Sequence, residues 1–194
     1  MTVDFYFGPG SRYSYLAATQ LERISAQTGA EFRWRPVLSA DLVARTGGVR
    51  RTPGDPEYLT QDVTRWARHY GVPFYDLTVD ADWRVWALAC TAAQRVNATE
   101  PFALALYRRA YGEGRPPSGE TELAELAATV GLDAAAFADA LKSPATTRAY
   151  EDNLDAALAA GAFGVPTFVT EDGSLFWGQD RLPLLVDHLA GLRG

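Results

Sequence analysis

The chain contains very little cysteine and lysine. Its 194 residues include one cysteine, Cys90, and one lysine, Lys142. A single cysteine cannot form an internal disulfide, which excludes dithiol chemistry within the chain. The same scarcity is typical of proteins kept in a reducing compartment, so we predict a cytoplasmic protein.

Other absences exclude further classes of protein. No run of about 18 apolar residues occurs, and the first residues lack a basic segment, so we predict neither a membrane span nor a signal peptide. The net charge of −6 disfavours nucleic acid as a partner. The two histidines, His69 and His188, fall in different helical patterns, so we predict no metal site.

Strand patterns lie at both ends of the sequence and helical patterns between them. Residues 3–7 and 31–35 favour strands, and the stretch from Ser11 to Gly29 favours one helix, which together predict a parallel βαβ unit. A loop rich in Gly, Pro and Arg follows at 46–56. Helical patterns then occur at 57–70, 83–97, 100–112, 119–130, 133–142 and 145–160. Residues 165–170 and 175–177 predict a hairpin, and 180–192 predict a final amphipathic helix.

This order of elements predicts an α/β protein with a thioredoxin-like fold and an inserted all-helical domain. The thioredoxin-like domain would comprise residues 1–38 and 161–194. The helical insertion would comprise residues 39–160. In such a fold three segments meet at one site, which are 11–14, 164–167 and 177–181.

Ser11 is the first residue of interest in these segments. It follows Gly8-Pro9-Gly10 and precedes a helical pattern, so it is a good helix N-cap. A serine hydroxyl there can also donate a hydrogen bond to a thiolate that a cofactor brings, and Arg12 would add positive potential. A charge-assisted bond of this kind is worth about 1.5–3 kcal/mol. The segment alone leaves both interpretations open.

The other two segments are equally ambiguous by themselves. Pro166 opens a strand, which strand chemistry allows, but a cis bond there would expose the Val165 backbone to a peptide-like ligand. Asp180 is a good N-cap and could also hold an ammonium group. Tryptophans at helical or strand spacing are typical of a core, although one or two of them could wall an aromatic pocket, and we predict this role for Trp86.

Taken together, the segments resemble a known family. The runs DFYF at 4–7, Ser11, YSYLA at 13–17, GVPTF at 164–168 and WGQDRL at 177–182 resemble the 2-hydroxychromene-2-carboxylate isomerases. That family is close to the kappa-class glutathione transferases and belongs to the DsbA-like thioredoxin superfamily. The resemblance extends over essentially the whole chain in the same order and spacing.

The resemblance implies a thiol-dependent isomerase that acts on a small conjugated aromatic acid. Ser11 would be catalytic and would activate the thiol of glutathione or of a similar small thiol. We also predict a catalytic role for Arg12, from its positive charge beside Ser11 and not from the resemblance. The Val165 backbone and Pro166, with Gln179 and Asp180, would bind the tripeptide. Substrate contacts are predicted for Tyr13, Ser14 and Trp86. The family also implies a homodimer.

Two departures from the family pattern keep other functions open. Arg12 stands where the family usually has proline. The asparagine and lysine by which a family loop contacts the tripeptide correspond here to Gly48 and Asp55. The alternatives are a kappa-type glutathione transferase, or a divergent member that uses no glutathione and acts on or binds a small molecule in a catabolic or biosynthetic pathway.

Overall fold

A mixed four-stranded sheet brings the two ends of the chain together. The computed structural model describes residues 1–46, 55–77 and 81–191. The strands are β1 (Thr2–Phe7), β2 (Glu31–Pro36), β3 (Thr167–Thr170) and β4 (Leu175–Trp177), in the spatial order β2-β1-β3-β4. β1 pairs parallel to β2 and antiparallel to β3, and β3 pairs antiparallel to β4. This arrangement confirms the predicted thioredoxin-like fold.

Helices fill the rest of the described chain. They are α1 (Arg12–Ala18), α2 (Leu21–Thr28), α3 (Ser39–Thr46), α4 (Pro56–Tyr70), α5 (Trp83–Gln94), α6 (Thr99–Tyr107), α7 (Glu120–Thr129), α8 (Ala134–Lys142), α9 (Pro144–Ala159) and α10 (Leu182–Gly191). A π-helical turn, Arg108–Gly112, continues α6, and a 3-10 turn, Gln179–Arg181, precedes α10. In the described part of the chain, α3 to α9 lie between β2 and β3 in sequence, with no strand among them.

The structure differs from the predicted helices at two places. The single helix expected from Ser11 to Gly29 is interrupted at Thr19 and Gln20, where the Gln20 N–H bonds the Ala17 carbonyl at 2.9 Å and tightens the turn. The Thr19 hydroxyl also donates to the Leu16 carbonyl at 2.7 Å, competing for a helical acceptor. Helix α3 was not predicted. Most of the loop expected at 46–56 lies outside the described residues.

The sheet packs on two clusters of apolar side chains because alternate residues of β1 face opposite sides. Phe5 and Phe7 belong to the larger cluster, whereas Tyr6 belongs to a smaller cluster with side chains of α3 and α9. The Phe5 ring stacks on Phe168 with centroids 5.0 Å apart. Full burial of such a side chain contributes about 1.5–3 kcal/mol. This packing anchors the end of β1, where the predicted site begins.

Candidate functional site

Ser11 caps helix α1, as its sequence position predicts. Its backbone is extended, with φ −97° and ψ 118°, and its Oγ accepts a hydrogen bond from the Ser14 N–H at 3.2 Å. The Ser11 N–H donates to the Gly8 carbonyl at 2.8 Å, which closes a turn over Pro9 and Gly10. Among the described residues, no group accepts the Ser11 hydroxyl hydrogen. Ser11 is partly exposed, and its hydroxyl is therefore available as a donor.

The loop before Ser11 is held by buried hydroxyls. Tyr107 donates to the Gly8 carbonyl at 2.9 Å, and Tyr111 donates to the Gly10 carbonyl at 2.7 Å. Ser14, for which a substrate contact was predicted, is 0% exposed, and its Oγ accepts from the Gly8 N–H at 3.2 Å. A side chain without exposed surface cannot touch a substrate in this conformation. Ser14 supports the loop instead.

Arg12 is partly exposed beside Ser11 and is not a free cation. Its Nη1 donates to Asp76 Oδ2 and to Thr60 Oγ1, both at 3.1 Å, and Thr60 itself donates to Asp76 at 2.7 Å. The carboxylate of Asp76 therefore offsets much of the guanidinium charge at the site. Both bonds use Nη1, so Nε and Nη2 have no partner among the described residues.

Tyr13 points from the first turn of α1 toward α4. Its hydroxyl donates to Asp62 Oδ2 at 2.8 Å. Burial, together with the hydrogen bond and charge of Asp62, raises the pKa of Tyr13 far above its usual range. The phenol therefore stays protonated. Tyr13 is partly exposed next to Ser11, and its substrate contact stays a prediction.

The indole nearest the loop belongs to Trp83 rather than to Trp86. A Cβ placed on Gly10 would lie 2.6 Å from Cδ2 and 2.8 Å from Cζ3 of Trp83, so this ring lies directly over Gly10. Trp86 is 1% exposed, meets Trp83 edge to face at 5.1 Å, and donates through Nε1 to the Pro117 carbonyl. A buried Trp86 offers no surface to a substrate. Partly exposed Trp83 does.

The segment around Pro166 lies against the same loop. The Val165–Pro166 peptide bond is cis. A Cβ on Gly8 would lie 2.9 Å from Val165 Cγ2, so Val165 packs directly on the loop before Ser11. No described residue hydrogen-bonds to the Val165 N–H or C=O, whereas the Pro166 carbonyl accepts from Gly178 at 2.9 Å.

Gln179 and Asp180 differ in what they can offer a ligand. Gln179 is 2% exposed, and its Oε1 accepts from the Tyr70 hydroxyl at 2.6 Å, so its side-chain carbonyl is already satisfied. Asp180 is exposed and pairs with Arg181 at 3.1 Å. Burial and the nearby charge of Asp180 raise the pKa of Tyr70 to about 12. Of the two residues, Asp180 has the accessible acceptor group.

The remaining candidates for reactive chemistry lie outside this site. Cys90 is buried, and desolvation raises the pKa of its thiol far above the usual range, so it stays protonated and inert. Across residues 1–46, 55–77 and 81–191, no three His, Cys, Asp or Glu side chains are arranged to hold a metal. No helix in those ranges has the length and apolar character to span a membrane.

Sequence reasoning missed several members of the site. Asp76, Tyr107 and Tyr111 lie in irregular chain or in α6 and its π-helical turn, far along the sequence from Ser11. Tyr70 was also missed, although its hydroxyl holds Gln179. Nothing in their local sequence marks these residues, because only the tertiary fold brings them to the loop. Gly48, the expected counterpart of a family contact, lies outside the described residues, and Asp55 caps α4 by accepting from the Glu57 N–H.

Comparison with known proteins identifies the family of this chain. The model of the DSBA-like thioredoxin domain matches residues 2–190. A 2-hydroxychromene-2-carboxylate isomerase of Sphingobium xenophagum is 34% identical over 97% of both chains, and one from Pseudomonas putida is 31% identical over 99% of this chain and 96% of its own.

Solved structures extend the comparison. A 2-hydroxychromene-2-carboxylate isomerase, solved as the selenomethionine protein, superposes with a TM-score of 0.88 at 29% identity, over 99% of this chain and 96% of its own. The cytosolic disulfide reductase DsbM of Pseudomonas aeruginosa, in a structure with GSH, shares the fold with a TM-score of 0.69 at 22% identity, over 100% of this chain and 98% of its own. The family suggested by the sequence is confirmed. The chain belongs to the DSBA-like thioredoxin domain family and, within it, to the isomerases named for 2-hydroxychromene-2-carboxylate.

Proposed function

We propose that this enzyme isomerises a small conjugated aromatic acid such as 2-hydroxychromene-2-carboxylate with the help of a bound thiol of the glutathione type. The observation that carries the proposal is the Ser11 hydroxyl. Ser11 is partly exposed, and its hydroxyl accepts from the Ser14 N–H while its hydrogen is uncommitted among the described residues. When bound, the thiol supplies a nucleophile that adds reversibly to a conjugated double bond, lets that bond rotate, and is returned unchanged.

Ser11 would favour the ionised form of that thiol. Because its Oγ already accepts the Ser14 N–H, the hydroxyl is oriented and loses little freedom when it donates to an anion. A hydrogen bond to a charged group is worth about 1.5–3 kcal/mol. This corresponds to about one to two pKa units, enough to ionise much of a thiol with an ordinary pKa near 8.5 at pH 7.

Two further groups suit the remainder of a tripeptide. The N–H and C=O of Val165 are both without a partner among the described residues, beside the loop before Ser11. A peptide-like ligand pairs with one exposed backbone donor and one acceptor as an added strand does. The exposed carboxylate of Asp180 suits an ammonium group, whereas the side-chain carbonyl of Gln179 is held by Tyr70 and is not part of the proposed ligand contacts.

The aromatic acid would occupy the side of Ser11 lined by Trp83, Tyr13 and Arg12. The Trp83 indole over Gly10 provides an aromatic wall. The unused Nε and Nη2 donors of Arg12 match a carboxylate, which guanidinium groups bind through two parallel hydrogen bonds. Asp76 holds this guanidinium in place through Nη1 at 3.1 Å, and its negative charge opposes the approach of a substrate carboxylate.

The test compares two serine N-caps. Ser143 caps α9 as Ser11 caps α1, and its side chain accepts from the Ala145 N–H at 3.2 Å. Ser11→Ala and Ser143→Ala should each cost about 1 kcal/mol of stability through the lost cap. Only Ser11→Ala should lower kcat/KM for the isomerisation with glutathione, by about 10- to 150-fold, which is the value of the lost bond to the thiolate.

Titration calorimetry completes the test. Glutathione, bacillithiol and mycothiol are each titrated into the wild-type protein, and at least one should bind. Full isomerase activity in Ser11→Ala, or no heat with any of the three thiols, would contradict the proposed thiol mechanism. Turnover without any added thiol would favour direct action by the side chains instead.

A further inference from the structure

Two tyrosine hydroxyls hold the carbonyls on either side of Pro9. Tyr107, the last residue of α6, donates to Gly8 at 2.9 Å, and Tyr111, in the π-helical turn, donates to Gly10 at 2.7 Å. Each side chain is 1% exposed. π-helical turns are rare and are frequent at functional sites. This one carries the hydroxyl that reaches the peptide unit directly before Ser11.

One peptide unit joins Gly10 to Ser11, and it is held at both ends. Its carbonyl accepts from Tyr111 at 2.7 Å, and its N–H donates to the Gly8 carbonyl at 2.8 Å. The Gly8 carbonyl in turn accepts from Tyr107. A peptide plane fixed at both its oxygen and its nitrogen cannot rotate without breaking two hydrogen bonds. The backbone from which the Ser11 side chain projects is therefore fixed.

The loop needs this support because of its composition. Glycines at 8 and 10 lack the Cβ that would restrict their backbone, so the loop has many conformations to lose. In a rotated Gly10–Ser11 peptide the carbonyl oxygen would face outward beside Ser11. A partial negative charge there would oppose a thiolate. The tyrosine hydroxyls stabilise the orientation that keeps both carbonyls directed into the protein.

The rings of Tyr107 and Tyr111 are packed independently of their hydroxyls. Tyr15 lies 5.9 Å from the Tyr107 ring and stacks on the Tyr111 ring at 5.4 Å. Burial raises the pKa of both phenols, so they remain protonated donors at any pH at which the enzyme works. Replacement by phenylalanine therefore removes the hydrogen bond and keeps the packing.

We propose that Tyr107 and Tyr111 are positioning residues, which fix the Gly8–Gly10 carbonyls and thereby aim the Ser11 hydroxyl at the bound thiol. This inference rests on the proposed function. Tyr111 should matter more than Tyr107. The Gly10 carbonyl has no other partner among the described residues, whereas the Gly8 carbonyl also accepts the Ser11 N–H.

The experiment measures the ionisation of the bound thiol directly. Glutathione is bound to the wild type, to Tyr107→Phe and to Tyr111→Phe, and thiolate absorbance is followed against pH without aromatic substrate. Tyr111→Phe should raise the midpoint by about 0.5–1 unit, and Tyr107→Phe should raise it less. The pH profile of kcat/KM should move the same way, and kcat should fall more than KM rises.

Tyr150→Phe is the matched control. Tyr150 is also buried and its hydroxyl is hydrogen-bonded, donating to Asp41 of α3 at 2.6 Å and accepting from the Leu38 N–H at 3.1 Å. This variant should lose stability without moving the thiol midpoint. If Tyr107→Phe does not fold, Tyr111→Phe alone carries the test, because its hydroxyl makes the larger predicted contribution.

The outcomes separate the two proposals. In one outcome the wild type lowers the ionisation midpoint of the bound thiol below its solution value while Tyr111→Phe has the same midpoint as the wild type. That result would overturn the positioning role alone. The same titration is made with bacillithiol and mycothiol. A wild type that leaves the midpoints of all three thiols at their solution values would overturn the proposed function and the positioning role with it. A shift in Tyr150→Phe equal to that in Tyr111→Phe would also overturn the positioning role, because general loosening would then explain both.

Discussion

The starts of helices α1 and α9 share a local motif and differ in everything around it. Ser11 and Ser143 both have extended backbones and are both partly buried, and each accepts a backbone N–H at 3.2 Å. Around Ser11 the neighbouring backbone is held by buried tyrosines. Around Ser143 the preceding residue, Lys142, is exposed. The comparison teaches that a helix cap is marked by its sequence, whereas a catalytic serine is marked by what fixes the residues next to it.

We expect the largest difference in activity and stability between substitutions of the residues that precede the two caps, Gly10 and Lys142. At Gly10 a methyl group would overlap the Trp83 ring, with Cδ2 2.6 Å away, so Gly10→Ala must displace the indole. We expect a loss of about 1–3 kcal/mol of stability from overpacking and a fall in kcat/KM of more than about tenfold. Chemical denaturation and steady-state kinetics measure both quantities.

The equivalent change at the other cap is Lys142→Ala. The Lys142 side chain is 65% exposed, so its removal should leave kcat/KM unchanged and shift the thermal midpoint by less than about 2 °C. Equal losses of activity in Gly10→Ala and Lys142→Ala would remove the distinction between the two helix starts.

We expect a smaller difference, in KM for the aromatic acid, between substitutions of the residues that follow the two caps, Arg12 and Pro144. Arg12→Ala should raise KM for the aromatic acid about tenfold, because a carboxylate loses its bidentate partner, while kcat changes less. Asp76→Asn should lower that KM, because it frees the guanidinium from its ion pair. Stability should change by no more than about 1 kcal/mol in either variant, as is usual for exposed pairs.

Pro144→Ala is the control at the start of α9, where proline occupies the first helical turn. It should leave KM for the aromatic acid unchanged. If Arg12→Ala and Asp76→Asn move KM in the same direction, the proposed opposition between the Asp76 charge and a substrate carboxylate is wrong.

The smallest expected effect is a pH dependence at the α8–α9 corner. A hydrogen bond and the charge of Glu120, 2.8 Å away, raise the pKa of Lys142 above its usual 10.5. Because the folded value is the higher one, this stabilisation is fully present below pH 10.5 and is lost as pH rises through the folded pKa. Thermal midpoints of wild type and Lys142→Ala should therefore converge slightly at high pH. A gap that widens above pH 10.5 would contradict the assignment.

The fold was largely predictable because its signals are local. The alternation at 31–35 and the β-branched run at 165–170 predict β2 and β3, and these strands form in the structure. The break at Thr19 was not predictable from periodicity, because apolar residues continue at helical spacing on both sides of it. There a side-chain hydroxyl competes with the helical hydrogen bonds.

The site was predictable only in part. Ser11 and Asp180 could be singled out because each lies at the start of a helical pattern. Trp83 and Trp86 could not be told apart by sequence, since they are three residues apart on one face of α5 and only the packing over Gly10 distinguishes them. Gln179 was expected to face a ligand and faces Tyr70 instead, a partner 109 residues away.

The burial of Cys90 makes this protein a convenient host for a single chemical label. The one native thiol is inaccessible, so reagents that modify exposed thiols will leave the folded wild type unmarked. A cysteine introduced at position 11 would then be the only reactive thiol on the surface. A probe or a tethered fragment attached there would report on the surroundings of residue 11 without competing signals, and mixed-disulfide screening could search for molecules that fit beside Trp83.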